Sequence, residues 1–185
     1  LEEGSGRYFI SGKIAITNHG VTDIRFNNQE KVAVCSSNNG DLFMGCGYAV
    51  AKAVINVCGP GIQKELYDKY GIQKVMGEPT KVRKIDGEGR GHSITCGSYD
   101  MNKTHGISQT EVMTVPMSSR AGVLNMYEEA FANSRDLDYI IVPMAGMTHP
   151  VLNGNPGLNA ELAMTAFEKF LKKNPRSKLK VIFSI

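Results

Sequence analysis

The chain has 185 residues, of which 42% are hydrophobic and 21% charged, and its formal net charge at pH 7 is +3. A chain of this length typically forms one globular domain that buries roughly 70% of the surface exposed on unfolding. The small net charge argues against an extended nucleic-acid footprint but leaves a neutral or anionic small ligand open. No apolar run approaches the roughly 18 residues of a membrane span, so no membrane association is expected.

Both ends of the chain indicate a module taken from a longer protein. Residues 1–6, LEEGSG, lack the basic region and apolar core of a signal peptide, so they are interpreted as linker. Residues 7–185 are expected to form a single domain, with a monomer as the default. The chain stops within an apolar strand pattern, VIFSI, which suggests a piece cut from a larger polypeptide.

The cysteines offer no metal site and no obvious disulfide framework. They are Cys35, Cys46, Cys58 and Cys96, without a CxxC pair and without a histidine at zinc-ligand spacing. Free, partly buried thiols are therefore expected, in a reducing compartment such as the cytoplasm or nucleus rather than in a secreted protein. No metal and no cofactor are expected.

Six short apolar runs, bounded by Gly, Asn, Pro or charged residues, have the pattern of buried strands. In chain order, these predicted strands are 13–17, 31–35, 93–97, 111–115, 139–142 and 179–183. Helical periodicity lies between them, at 48–57, 62–70 and 121–133. A fourth helix is predicted to begin at Asn159 as its N-cap and to end before Asn174-Pro175, while the charged segment 81–91 is predicted to be a surface hairpin.

Strands that alternate with helices predict a three-layer α/β/α sandwich with a mixed, mostly parallel central sheet. In such sheets, ligands lie beyond the carboxyl ends of the strands, where loops lead into helix N-termini. The segment 35–54, CSSNNGDLFMGCGYAVAKAV, fits this arrangement, because glycines before a helix let backbone N–H groups approach a phosphate. It contains neither a dinucleotide fingerprint nor a P-loop, so phosphate binding and a plain tight turn both stay open.

Two further loops could complete a ligand site. A small-residue loop, PMAGMTH, follows the predicted strand 139–142, and together with the first loop it could hold a pyrophosphate from both sides. After the first predicted strand comes HGVTDI, in which the carboxylate of Asp23 could accept hydrogen bonds from an adenine amino group.

Taken in order, these segments resemble the macro domain, a module that binds ADP-ribose. Asp23-Ile24 is similar to the family's Gly-Asp-Ile segment, whose aspartate meets the adenine, and residues 34–38, VCSSN, are similar to Val-Asn-Ala-Ala-Asn. The glycine-rich loop MGCG and the later VPMAGM resemble the two phosphate loops. The paired strands SITCGSYDM and EVMTVPM, and the helix GVLNMYEEAF, extend the resemblance over most of the chain.

The resemblance implies a macro-like domain over residues 7–185 and a ligand-binding set drawn from all three loops. The implied ligand-binding residues are Asp23, Ile24, Asn38, Gly45, Cys46, Gly47, Tyr48, Ala145, Gly146, Met147 and Thr148. The family's Asn-x-x-Asn is Cys35-x-x-Asn38 here, so only the second asparagine remains. Because that position touches the distal ribose in the family, Asn38 is the candidate catalytic residue, with a turn cap as the alternative.

Other departures from the family's pattern leave the activity open. Cys46 replaces a glycine, Tyr48-Ala49 stand where some hydrolases carry an aspartate, and the usual aromatic of the second loop is missing unless His149 takes its place. Asp41 and His149 are the titratable candidates in these two loops, and both are interpreted first as turn or surface residues.

Three functions follow from the sequence. The domain could remove mono-ADP-ribose from modified proteins, with positioning and electrostatics supplying the rate, or it could read ADP-ribose, free or protein-attached, without turnover. RNA or poly(A) binding is the third, supported by two basic clusters. These clusters comprise Lys81, Arg83 and Lys84 in the first and Lys172, Lys173, Arg176, Lys178 and Lys180 in the second.

Overall fold

A computed structural model of the chain describes residues 7–24, 26, 29–39, 50–58, 92–99, 107–114, 120–144 and 154–185. At residues 7–11, 36–39, 51, 55, 57–58, 92–99 and 107–114 only the backbone is described. The strands are β1 (Arg7–Ser11), β2 (Ile14–Thr17), β3 (Val32–Asn39), β4 (His92–Tyr99), β5 (Ile107–Thr114), β6 (Tyr139–Pro143) and β7 (Lys180–Ser184). The helices are α1 (Val50–Cys58), α2 (Arg120–Asn133) and α3 (Pro156–Lys173).

The seven strands form one mixed sheet in the order β1-β2-β7-β6-β3-β4-β5. The four central strands, β2, β7, β6 and β3, run parallel to one another. β1 pairs antiparallel with β2 at one edge, and β4 and β5 continue antiparallel from β3 at the other. The predicted α/β class with a mixed sheet is thus confirmed, and its parallel part is the centre.

Successive residues of the central strands face two different cores, as the two-residue period of a strand requires. In β6, Ile140 and Val142 join the core formed with α2 and α3, called here the first core. Tyr139 and Ile141 join the second core, with Val54 of α1 and with Val21, Ile24 and Phe26. Because both faces are covered, β6 is buried throughout, which gives the three layers that the sequence predicts.

The first core is dominated by aromatic side chains from α2 and α3. Phe131 is fully buried, and its ring centroid lies 5.1 Å from that of Phe167 and 6.3 Å from that of Phe170. Next to them, the Tyr127 hydroxyl donates a hydrogen bond of 2.5 Å to Oδ1 of Asn159. These contacts fix α3 against α2 and therefore fix where α3 begins.

The predicted start of the last helix is wrong by one turn. Asn155, not Asn159, is the N-cap, and its Oδ1 accepts a hydrogen bond of 3.0 Å from the Leu158 backbone N–H. Pro156 follows at the first helical position, where its missing N–H costs nothing. Asn159 is 2% exposed inside the helix, because its amide serves Tyr127 rather than a helix end.

The other predicted strands and helices are either confirmed or lie outside the described residues. All six predicted strands are present, although β3 extends to Asn39 and β5 begins four residues earlier than predicted, at Ile107; β1 was not predicted. The helices predicted at 48–57 and 121–133 correspond to α1 and α2. The predicted helix 62–70 and the predicted hairpin 81–91 lie outside the described part of the chain. Of the helices described, none combines the length and apolar character that crossing a membrane requires.

The prediction of free thiols is wrong at Cys35. Its side chain is completely buried in the first core, as expected for a cysteine in an apolar strand, but it is disulfide-bonded.

Candidate functional site

The carboxyl ends of β2, β7, β6 and β3 meet at one edge of the sheet, because these strands are parallel. The segments that leave this edge are the turn after β2, the loop between β3 and α1, and the loop between β6 and α3. They are the three loops in which the sequence predicts ligand contacts. The fold therefore brings the strand ends that precede the predicted loops to the same edge.

The backbone pairing between β3 and β6 ends short of this edge, and the gap left between the two unpaired strand ends is called the crevice here. The last residue pair that joins the two strands in the described ladder is Val34 opposite Ile141. Beyond it, β3 continues to Asn39 paired only with β4, while β6 continues to Pro143 paired with β7. The two neighbouring strands thus part before either of them ends.

The same crevice is the topological switch point of the sheet. After β3, α1 packs on the second core, whereas after β6, α3 packs on the first core. Adjacent parallel strands whose helices go to opposite faces leave room between their loops, and ligands of open α/β sheets bind there. The geometry of the backbone alone therefore favours a binding site between β3 and β6.

The turn after β2 is closed by Asp23. Its Oδ2 accepts a hydrogen bond of 3.1 Å from the Gly20 backbone N–H, and its own N–H donates to the Gly20 carbonyl at 2.9 Å. A Cβ at position 20 would lie 2.7 Å from that Oδ2, so the closed turn depends on a glycine. Asp23 is exposed, and its Oδ1 can still accept a hydrogen bond from a ligand.

Ile24 and Asn38 differ in what they can offer a ligand. The Ile24 side chain is 3% exposed in the second core, so any contact it makes with a ligand comes through its main chain. Asn38 lies near the end of β3, opposite Ser93 of β4, on the strand that borders the crevice. The structure describes its backbone alone.

The turn after β2 and the crevice are far apart along the edge. β7 and β6 lie between β2 and β3, so three inter-strand spacings, or about 14 Å, separate the end of β2 from that of β3. A ligand that touches both Asp23 and Asn38 must therefore be elongated and lie across the ends of the strands. This requirement excludes a compact ligand the size of one nucleobase or one sugar.

Residues that the sequence did not single out hold the turn after β2 in place. The hydroxyl of Thr17 accepts a hydrogen bond of 3.1 Å from the His19 backbone N–H. The hydroxyl of Ser184 donates a hydrogen bond of 2.8 Å to the His19 carbonyl. Ser184 belongs to the neighbouring β7, so it ties the turn to the sheet. Since β7 follows β2 by more than 160 residues, no local pattern indicates this bond.

The start of α3 also lies at this edge and was not among the predicted site residues. Gly154 precedes the Asn155 cap with a φ of 66°, a conformation that favours glycine. The cap satisfies one backbone N–H of the first turn. It fixes the direction in which α3 leaves the carboxyl edge.

Many of the predicted contacts lie outside the described residues and stay predictions. They are Gly45, Cys46, Gly47, Tyr48, Ala145, Gly146, Met147 and Thr148, together with Asp41 and His149. Among the residues that are described, no group of three or more His, Cys, Asp or Glu could hold a metal ion.

The basic cluster near the end of the chain lies at the opposite, amino-terminal edge of the sheet. There a cavity of about 500 Å³ is lined by Arg135, Asp136, Asn174, Pro175, Arg176, Ser177 and Lys178. Its charges are partly compensated, because Lys178 Nζ lies 2.7 Å from Asp138 Oδ1 and Arg135 lies 3.5 Å from Asp136. The first basic cluster, Lys81, Arg83 and Lys84, lies outside the described residues.

The fold can be compared with known proteins. The solved structure of a Trypanosoma brucei macrodomain matches it with a TM-score of 0.59 and 16% sequence identity, over 93% of this chain and 61% of the other. No family model and no curated protein matches the sequence. The chain therefore has the fold of a macro domain and spans less than two thirds of the length of the structure it matches.

Proposed function

We propose that the chain binds ADP-ribose, free or attached to protein, across the carboxyl edge of its sheet. The observation that carries this proposal is the crevice at the switch point between β3 and β6, in a sheet with the macro-domain fold. The diphosphate would lie in the crevice, the adenine would lie near Asp23, and the distal ribose would lie near Asn38.

Calorimetric titration with ADP-ribose, AMP and ribose 5-phosphate tests the proposal. ADP-ribose is expected to bind at least ten-fold more tightly than either fragment, because only the whole molecule reaches both ends of the edge. Equal affinity for ADP-ribose and AMP would contradict the elongated placement. No heat and no thermal shift at millimolar ADP-ribose would overturn the proposal as a whole.

Asp23 is expected to recognise the adenine through its carboxylate. Asp23→Ala should weaken ADP-ribose binding about 10–100-fold, the range for a hydrogen bond to a charged group. Gly20→Ala should weaken it in the same direction, because the new Cβ pushes Oδ2 out of its position. Asp136→Ala is the matched control, an exposed aspartate at the opposite edge. If Asp136→Ala loses as much affinity as Asp23→Ala, the loss reflects a general effect on folding and not a contact between Asp23 and the adenine.

Hydrolysis of mono-ADP-ribose from modified proteins is the finer proposal, and it depends on Asn38. In this mechanism Asn38 holds the distal ribose while water attacks the anomeric carbon, and the positive charge that develops on the ribose is stabilised electrostatically. Asn38→Ala should then reduce release of ADP-ribose from a modified protein, followed on gels, much more than it reduces binding. A wild-type domain that binds ADP-ribose but does not release it from a modified protein would be a reader. Equal losses of binding and of release in Asn38→Ala would contradict the catalytic role of Asn38.

RNA binding is the second candidate, favoured by the basic cavity at the amino-terminal edge. Phosphate contacts release counterions, so a true RNA site would lose affinity steeply as salt is raised. Arg176→Glu should abolish this RNA binding and leave ADP-ribose binding unchanged, since the two edges are separate. The absence of RNA binding at low salt would reject this candidate.

A further inference from the structure

Cys35 is a buried, disulfide-bonded residue in the middle of the sheet. In the ladder between β3 and β4, the residue directly opposite it is Cys96. We propose that Cys35 and Cys96 form a reversible cross-strand disulfide that fastens the β4–β5 hairpin to the strand bordering the crevice. This inference concerns the scaffold and does not depend on the identity of the ligand.

The backbone register supports this pairing. Residues directly opposite each other in antiparallel strands have Cα atoms about 4.5–5.5 Å apart. Disulfide-bonded cysteines have Cα atoms roughly 4.4–6.8 Å apart, so the register meets the requirement without any backbone movement. Opposite residues also share one face of the sheet, and Cys35 faces the first core.

The other described cysteine is separated from Cys35 by the sheet. Cys58 is the last residue of α1, and α1 packs on the second core, whereas Cys35 belongs to the first. The fourth, Cys46, lies outside the described residues. Of the described cysteines, Cys96 is therefore the one whose backbone position fits.

The bond would act where the hairpin is attached. In the described sheet, β4 and β5 are hydrogen-bonded to the other strands through β3 alone. A covalent link at Cys35 closes a loop of about 60 residues, and in the chain-entropy account a long loop gives a large stabilisation. Cys35 precedes Asn38 by three residues, so the link also restrains the strand at the edge of the crevice.

The chemistry is thiol–disulfide exchange with a low-molecular-weight disulfide such as oxidised glutathione. One cysteine thiolate attacks this disulfide, forms a mixed disulfide and releases one thiolate. The other cysteine thiolate then attacks the mixed disulfide, forms the Cys35–Cys96 bond and releases the second thiolate. The protein loses two electrons and two protons, and one glutathione disulfide becomes two glutathione thiols.

Peptide mapping of the protein purified without reductant tests the pairing. Free thiols are alkylated in denaturant, the protein is digested, and the peptides are weighed. A peptide containing Cys35 linked to one containing Cys96 is expected, and it should disappear on reduction and return when the reduced protein is treated with oxidised glutathione. Complete alkylation of both cysteines before and after that treatment, or a link from Cys35 to another cysteine, would overturn the proposal.

Hydrogen exchange tests the consequence for the hairpin. Reduction of the wild-type protein should accelerate backbone exchange in β4 and β5 at least ten-fold, while exchange in β6 and β7 changes little. Cys96→Ala should reproduce the reduced state, and Cys58→Ala should leave both the linked peptide and the exchange pattern intact. If Cys96→Ala does not fold, the comparison of oxidised and reduced wild type decides alone. Identical exchange in those two forms would refute the fastening role.

Discussion

At the residue scale, Asp138 joins the beginnings of three parallel strands. Its Oδ2 accepts a hydrogen bond of 2.8 Å from the Lys31 backbone N–H before β3, and its carbonyl accepts one of 3.0 Å from Lys180 of β7. Burial acts to raise the pKa of Asp138, but the hydrogen bonds and charges of Lys178 and Lys31 outweigh it, and the pKa of this carboxyl lies below its ordinary value. The ionised carboxylate is therefore the form that the folded protein prefers.

This preference predicts how stability depends on pH. A carboxylate whose pKa is lowered on folding stabilises the protein above the unfolded pKa, and this contribution is lost as pH falls through the folded pKa. Asp138→Asn should therefore reduce the free energy of unfolding at about pH 6 and flatten its decline towards about pH 3. Urea denaturation at the two pH values measures both effects. Asp136→Asn, at an exposed site, is the control, and an equal flattening there would contradict the assignment.

The cap of α3 gives a second prediction at this scale. Asn155→Ala removes the acceptor of the Leu158 N–H and should lower the free energy of unfolding by about 1 kcal/mol. Asn155→Ser keeps an acceptor at the cap and should recover most of the loss, which chemical denaturation can measure. Equal losses in the two variants would mean that the cap hydrogen bond is not what the alanine removes.

Single residues differ in how far the sequence reveals their roles. Asp23 was singled out from a local pattern, and the turn that it closes joins residues three apart, while its contact with a ligand stays a prediction. Ser184 could not be predicted, because its partner His19 is distant in the chain. Cys35 was expected to be a free, partly buried thiol; it is completely buried, and its disulfide was not predicted because no local pattern indicates it.

At the scale of elements, the contact between α2 and α3 is a stack of aromatic rings. The centroids of Phe167 and Phe170 lie 5.8 Å apart with nearly parallel rings, and Phe131 meets Phe167 edge-on. Phe167→Ala should cost about 3–5 kcal/mol, because the removed ring leaves a cavity that the close-packed core cannot collapse to fill. Phe167→Leu should cost less. Glu168→Ala, exposed on the same helix, should stay within about 0.5 kcal/mol in the same urea experiment.

Strands that are buried on both faces were predictable from the sequence. β6 and β7 are central strands whose residues face both cores, and their continuous apolar runs were recognised directly. The start of α3 was misplaced because Asn159 has the residue type of a cap, while its partner is a tyrosine on another helix. Asn155 is also a typical N-cap residue and is followed by Pro156. Which of the two asparagines caps the helix depends on tertiary contacts that the sequence does not show.

At the scale of the molecule, β7 lies at the centre of the parallel sheet, between β2 and β6. Deleting residues 180–185 should therefore abolish cooperative unfolding, because β2 and β1 lose their hydrogen-bonded connection to the rest of the sheet. Deleting Ile185 alone, whose side chain is 67% exposed, should have a small effect. Thermal and urea denaturation of both variants provide the comparison. A longer deletion that still unfolds cooperatively with wild-type stability would contradict the central role of β7.

The layered architecture was predictable from alternating strands and helices, but the order of the strands was not. Local periodicity identifies each strand, whereas pairing depends on contacts between residues far apart in the chain. The crevice between β3 and β6 is a product of that order. The loops of the candidate site, and a ligand held between two of them, could therefore be predicted from the sequence, whereas the strand order that places β3 beside β6 at this edge could not.

The position of β7 also has a consequence for how the chain acquires its structure. β2 pairs with β7, which follows it in the chain by more than 160 residues. The β2–β7 pairing is therefore among the most non-local contacts in the molecule. Until residues 180–184 leave the ribosome, the neighbouring edges of β2 and β6 stay unpaired, and an open edge invites association with other chains. Folding is expected to be slow and to be completed only after residues 180–184 have left the ribosome, with the unfinished sheet as its most aggregation-prone stage.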